Sequence, residues 1–208
     1  SMMNNNTGDY NVAIGTRTLS ENIDGDLNTA AGERSLEKNT YGNRNTAFGH
    51  HSLGYNTIGD FNTSLGIAAA RDAVNIDGAV AIGYHAMTSM NNDPNSHDDN
   101  SVLQNTAVGY FAMAGDENII NTGGGNTALG YLTLTNLSSG NYNTAVGSNA
   151  MYNNVEGISN IGIGWNALHS NLGTGEFDNG NGVTWKHGSF NIAVGNKALS
   201  NNVSGSFN

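Results

Sequence analysis

The chain has no cysteine, a single proline and few charges, and no run of about 18 apolar residues interrupts it. Without cysteine there is no disulfide framework and no thiol-ligated metal. Without a long apolar run there is no spanning helix, so no membrane insertion is expected, and no signal peptide is legible at the start. Charged residues make up 12% of the 208, and only seven are basic, for a net charge of −10. Nucleic-acid binding needs a clustered basic face, so that class of partner is not expected. The common catalytic signatures are missing as well. There is no glycine-rich phosphate loop, no Gly-x-Ser-x-Gly elbow and no His-Glu-x-x-His. The expectation is a non-enzymatic protein without cofactor or metal.

What the chain does have is glycine, at 29 residues, and asparagine, at 36. Both recur in a phrase, Asn-Thr-Ala-apolar-Gly, seen at Asn143–Gly147. Its closing glycines fall at 15, 32, 49, 66, 83, 109, 130, 147, 164 and 195. Six of the nine intervals are 17 residues. The other three are 26, 21 and 31, the same unit carrying inserts at about 91–104, 116–125 and 174–190. A fixed period of this length marks a solenoid, and its register argues against low-complexity disorder.

Counting from the opening asparagine, position 2 is Thr, Val or Ile, position 3 nearly always Ala, and position 4 almost always a large apolar residue. Position 8 is small and position 9 is Leu or Met. Position 12 is often Asn, and position 15 is usually Gly. No 3.6-residue apolar period is present. Thr-Ala-Val-Gly reads as a short strand, and a second strand is expected at positions 8–10. The glycine at position 5 supplies one turn. Asn and Gly at positions 12 and 15 supply the other, since both tolerate positive φ. The fold class is therefore all-β: a parallel β-roll, or β-solenoid, of about ten 17-residue coils forming one array over 1–208. At about 4.8 Å per coil the rod is roughly 50 Å long. Positions 4 and 9 are expected to stack as the apolar core, and the opening asparagines to form a hydrogen-bonded ladder. Each coil buries little apolar surface for the residues it orders, so several rolls packed side by side are expected. Ser1-Met2 reads as a cloning scar and Asn208 would open another unit, so the chain is expected to be a piece of a longer fibre.

Asn-Thr-Ala-Val-Gly, with Ala-Met or Ala-Leu beginning three residues after the glycine, resembles the head repeats of trimeric autotransporter (YadA-like) adhesins. It also resembles the Asn-Thr-Ala-x-Gly repeats of phage tail-fibre and related virion proteins. The resemblance covers nearly the whole chain. It implies a left-handed roll, three chains to a rod, and attachment to a host surface, hence an extracellular location on a virion tail fibre or a bacterial surface. The 17-residue period departs from the somewhat shorter adhesin repeat and favours the tail-fibre branch.

Position 6, just after the glycine, is the most informative outlier row: it holds Tyr84, Tyr110, Tyr131 and Trp165, and position 7 beside it adds His51, His85 and Phe111. An aromatic stripe on a turn suits sugar stacking, and equally an interface between chains. The candidate ligand-contacting residues are Tyr84, His85, Tyr110, Phe111, Tyr131 and Trp165, joined by Trp185 and His187 of the last insert. The expected partners are the chain itself, as a homotrimer, and a host-surface glycan or receptor. Glu176 and Asp178 in that insert leave a tailspike-like glycan hydrolase as the alternative, since such chemistry needs two carboxyls about 5–10 Å apart. A purely structural spacer is the other. The insert holding Asp93, Asn95, Asp98 and Asp99 offers oxygen ligands without EF-hand spacing and reads as a polar surface loop.

Overall fold

The computed structural model describes residues 2–90, 104–116, 121–172 and 188–208, with the backbone alone of 176–178 and 184–186. Ten three-residue strands stack into one parallel sheet. They are β1 (Val12–Ile14), β2 (Thr29–Ala31), β3 (Thr46–Phe48), β4 (Thr63–Leu65), β5 (Val80–Ile82), β6 (Thr106–Val108), β7 (Thr127–Leu129), β8 (Thr144–Val146), β9 (Ile161–Ile163) and β12 (Ile192–Val194). The register sets like on like, Thr46 beside Thr63 and Leu129 beside Val146. The architecture is an all-β solenoid, with no helix among the described residues. The remaining strands, β10 (Glu176–Asp178) and β11 (Thr184–Lys186), form an antiparallel hairpin that places Glu176 opposite Lys186. The last insert is thus partly a hairpin.

Among the described residues each coil contributes one strand to the parallel sheet. The expected second strand at positions 8–10 is replaced by a turn in which positions 7 and 9 both take left-handed backbone, as at Arg34 (φ 57) and Leu36 (φ 49). Such angles cost a non-glycine residue roughly 1–2 kcal/mol. The position recovers this by burying its side chain: Leu19, Leu36, Met113, Leu134 and Leu168 are fully buried. Backbone bonds still tie each turn to its neighbours, Arg34 N–H to the Thr16 carbonyl (2.8 Å) and Leu36 N–H to the Ser52 carbonyl (3.0 Å).

The alternation of a strand settles which face is core. Position 3 points inward: Ala30, Ala47, Ala107, Ala128 and Ala145 are fully buried against the position-9 row. Position 4 therefore points out, and Ile14, Leu65 and Val194 are 64%, 49% and 66% exposed. Placing position 4 in the core from its size alone is incorrect; inside a coil this narrow the strand side accepts alanine.

The opening asparagines hold the coil closed. Asn45 donates through Nδ2 to the Gly59 carbonyl of its own coil (2.8 Å), and its Oδ1 accepts from the Asn62 backbone N–H of the next (3.0 Å). The pattern repeats at Asn28, Asn126, Asn143 and Asn160, all buried. A second ladder runs through position 12, Asn39 to Asn22 (2.8 Å) and Asn171 to Asn154 (2.7 Å). Between these two segments the same interior space holds Ala73, Ile76, Met90 and Leu137, and the ladder gives way to apolar packing.

Positions 12 and 15 do not supply the positive-φ turn. Of their described residues only Gly188 is left-handed (φ 67); the left-handed residue on that side is otherwise position 17, as at Leu27 (φ 58) and Tyr142 (φ 57). The glycine column at position 5 answers two needs at once: at Gly32 φ is 133°, and a Cβ there would stand 2.5 Å from the Gly49 carbonyl oxygen.

Two inserts are shorter than the sequence suggests. Gly123, Gly124 and Gly125 occupy the regular positions 15–17, with Asn105 Nδ2 donating to the Gly123 carbonyl (2.7 Å). Gly188 plays the same part for Asn160 (2.8 Å). The extra residues lie at about 117–120 and 173–187. Residues 117–120 and the acidic insert at 91–103 lie outside the described residues.

Candidate functional site: an aromatic corner and the groove beside it

Position 6 follows the column glycine at the corner where the sheet ends. Successive coils are about 4.8 Å apart, so identical aromatics there must stack. Tyr84 and Tyr110 lie 5.2 Å apart at 16° and Tyr110 and Tyr131 5.5 Å apart at 17°. In the adjoining row His85 and Phe111 stack at 5.0 Å and 5°. Tyr84 also tilts against His85 at 4.4 Å, and Tyr110 against Phe111 at 4.8 Å. Five of the eight candidate residues thus form one cluster.

The remaining three stand apart. Trp165 is two coils beyond Tyr131, with Ser148 between them, and Lys197 sits 4.9 Å over its ring. Trp185 lies in β11, with its side chain outside the described residues, and His187 lies outside them altogether.

Stacking changes what the tyrosine row can do. A ring placed face to face with its neighbours offers edges and hydroxyls outward, while a sugar is held on an open face. Tyr110, between two rings, has both faces turned to tyrosine. The tyrosine column is a poor sugar platform along its middle and a good amphipathic edge for contact with another chain.

The groove beside it is different in kind. Side chains at positions 7, 10 and 11 bound it along the rod. A hollow of about 450 Å³ lies between Arg71, His85, Thr88, Phe111, Asp116 and Thr135, with Ala114 and Gly115 giving it depth. Two separate hollows of about 320 Å³ lie on the same rows elsewhere on the rod, one beside Asn166, His169 and Lys197 and one beside Arg17, Glu21 and Lys38. Hydroxyls, an amide and a carboxylate surround an aromatic pair, a donor set matched to a polyhydroxylated ligand. Arg71 is held by Asp72 through bonds of 2.8 and 2.6 Å. Burial, seconded by the Arg71 charge and opposed by Asp72, holds the His85 imidazole below its ordinary value of 6.5. At neutral pH His85 is therefore uncharged, with one ring nitrogen to donate and one to accept.

No group of three or more metal-ligating side chains occurs among the described residues, and no helix among them is long and apolar enough to cross a membrane. Two rows escaped the sequence reading. Position 17 carries Tyr10, Phe61, Tyr142 and Phe207, all well exposed, and Phe190 stacks on Phe207 at 5.0 Å. An aromatic directly before an opening asparagine was its visible signal. The outward position-4 row was legible from alternation with the alanines. Comparison with family models, with curated proteins and with solved structures finds no match for this chain.

Proposed function

We propose that the chain is a segment of a fibrous, extracellular attachment protein, a homotrimer that contacts host-surface glycans or proteins and carries out no catalysis. The observation that carries this reading is the groove at His85 and Phe111, an aromatic pair framed by hydroxyl, amide and carboxylate groups on a stiff repetitive rod. A rod with interchangeable coils is a spacer that can vary its surface rows without disturbing its core. Positions 6, 7, 10 and 11, next to the groove, are among the surface rows that vary from coil to coil. The resemblance of the Asn-Thr-Ala-x-Gly phrase to adhesin heads and tail fibres points the same way.

The test is binding of the purified chain to an array of neutral and acidic oligosaccharides, repeated with Phe111→Ala. A hit weakened at least about tenfold, ~1.4 kcal/mol, with the solution mass unchanged, supports the reading. No binding to any glycan or to host cells refutes it.

A further inference from the structure

Large apolar side chains left exposed are not scattered over this rod. Nineteen of the 24 among the described residues lie at positions 2 and 4 of the sheet or on its two flanking rows, positions 6 and 17. Scattered single apolar residues are ordinary on a protein surface, but a continuous apolar face marks a contact. The face runs ten strands at ~4.8 Å, about 50 Å, and spans five residues between its edges at ~3.3 Å, about 16 Å. The product, ~800 Å² per copy, is what one partner contributes to a stable interface of standard size.

The two edge rows also complement each other in size on six of the ten rungs. Trp165 shares its rung with Ser159, and Tyr84 shares its with Gly78. Where position 6 is small the relation inverts, Ser148 with Tyr142 and Asn196 with Phe190. The match fails on four rungs, Leu27 with Glu33, Arg44 with His50, Phe61 with Ile67 and Gln104 with Tyr110, and the Tyr142 ring already lies over Gly125. Within one copy the two rows are on opposite edges of the face. They meet only between copies, and only in a parallel, in-register ring whose axis follows the rod. There each copy's position-6 edge abuts the next copy's position-17 edge at the same height. An antiparallel pair sets each row against itself, reversed.

We infer that the outer face of the sheet is the contact between copies of this chain, parallel and in register, with the position-6 row of one copy seated against the position-17 row of the next. This deepens the self-association within the attachment reading. It assigns the tyrosine column and Trp165 to the contact between copies and leaves the His85–Phe111 groove for ligand.

Because the chain has no cysteine, cross-linking reads the geometry directly. Trp165→Cys and Ser159→Cys are made singly and together, then treated with a short bismaleimide. The double variant is expected to give covalent multimers on a denaturing gel, and each single variant none. Cross-linking of the single variants, or none in the double variant, overturns the inference. Leu65→Asp, in the middle of the face, is expected to yield a monomer with unchanged far-ultraviolet dichroism; an intact assembly likewise overturns it. Glycan binding is scored separately. A cross-linked assembly that binds neither glycan nor host cells sinks the attachment reading alone, and a monomer that binds sinks the interface alone.

Discussion

Replacing Asn45 by alanine removes more than one hydrogen bond. The Asn45 amide joins Gly59 of its own coil to Asn62 of the next, through bonds of 2.8, 2.9 and 3.0 Å, all fully buried. The Gly59 carbonyl keeps a second donor, Asn56 Nδ2 at 3.0 Å. The Asn62 backbone N–H loses its acceptor where water cannot replace it. An orphaned buried donor costs about 1–3 kcal/mol, and the truncated side chain adds a small cavity. The expected loss is therefore about 2–4 kcal/mol, a large share of the stability of an ordinary domain. Asn201→Ala, on the exposed turn, is the control and should stay within about 0.5 kcal/mol. Denaturant unfolding followed by circular dichroism measures both. Hydrogen exchange should show the loss centred on β3 and β4, because a solenoid couples neighbours first. An Asn45→Ala protein within about 0.5 kcal/mol of the parent would refute the idea that this ladder holds the coils closed.

Gly147→Ala adds a Cβ 2.8 Å from the Gly164 carbonyl oxygen at a φ of 123°, so thermal melting should show a loss above about 3 kcal/mol or failure to fold. Burial, with His50 and Arg34 seconding it, holds the His51 imidazole below its ordinary 6.5, as burial and Arg71 do for His85. Both bind protons more readily unfolded, so their contribution to stability is full above pH 6.5 and lost as pH falls below it. The melting temperature should drop over that range, and less so in a His51→Asn, His85→Asn variant. Lys38 and Glu21 form a half-exposed ion pair whose hydrogen bond raises the lysine pKa. Glu21→Gln should nevertheless cost under about 1 kcal/mol in denaturant titration, because solvent screens the pair.

The repeat made the architecture legible. A 17-residue spacing of Asn and Gly specified stacked coils, and the opening asparagines read as a ladder form one. The tyrosines at positions 84, 110 and 131 had to align once the period was known, as had His85 beside Phe111. Other features followed from physics that spacing does not carry. Leu36 and Met113 sit at left-handed φ, a conformation no propensity assigns to them, so their segment looked like a strand. Position 4 looked like core because Phe48 and Leu129 are large, yet strand alternation gives the inside to the neighbouring alanines. Gly25 and Gly42 looked like turn residues, whereas a Cβ at either would crowd the next coil.

The mass of the assembly in solution tests the central claim most directly. Light scattering after size exclusion should return about three times the 21.7 kDa chain if, as proposed, other copies cover the apolar face of the sheet. A mass of 21.7 kDa, with the position-4 row still open to solvent, would contradict it.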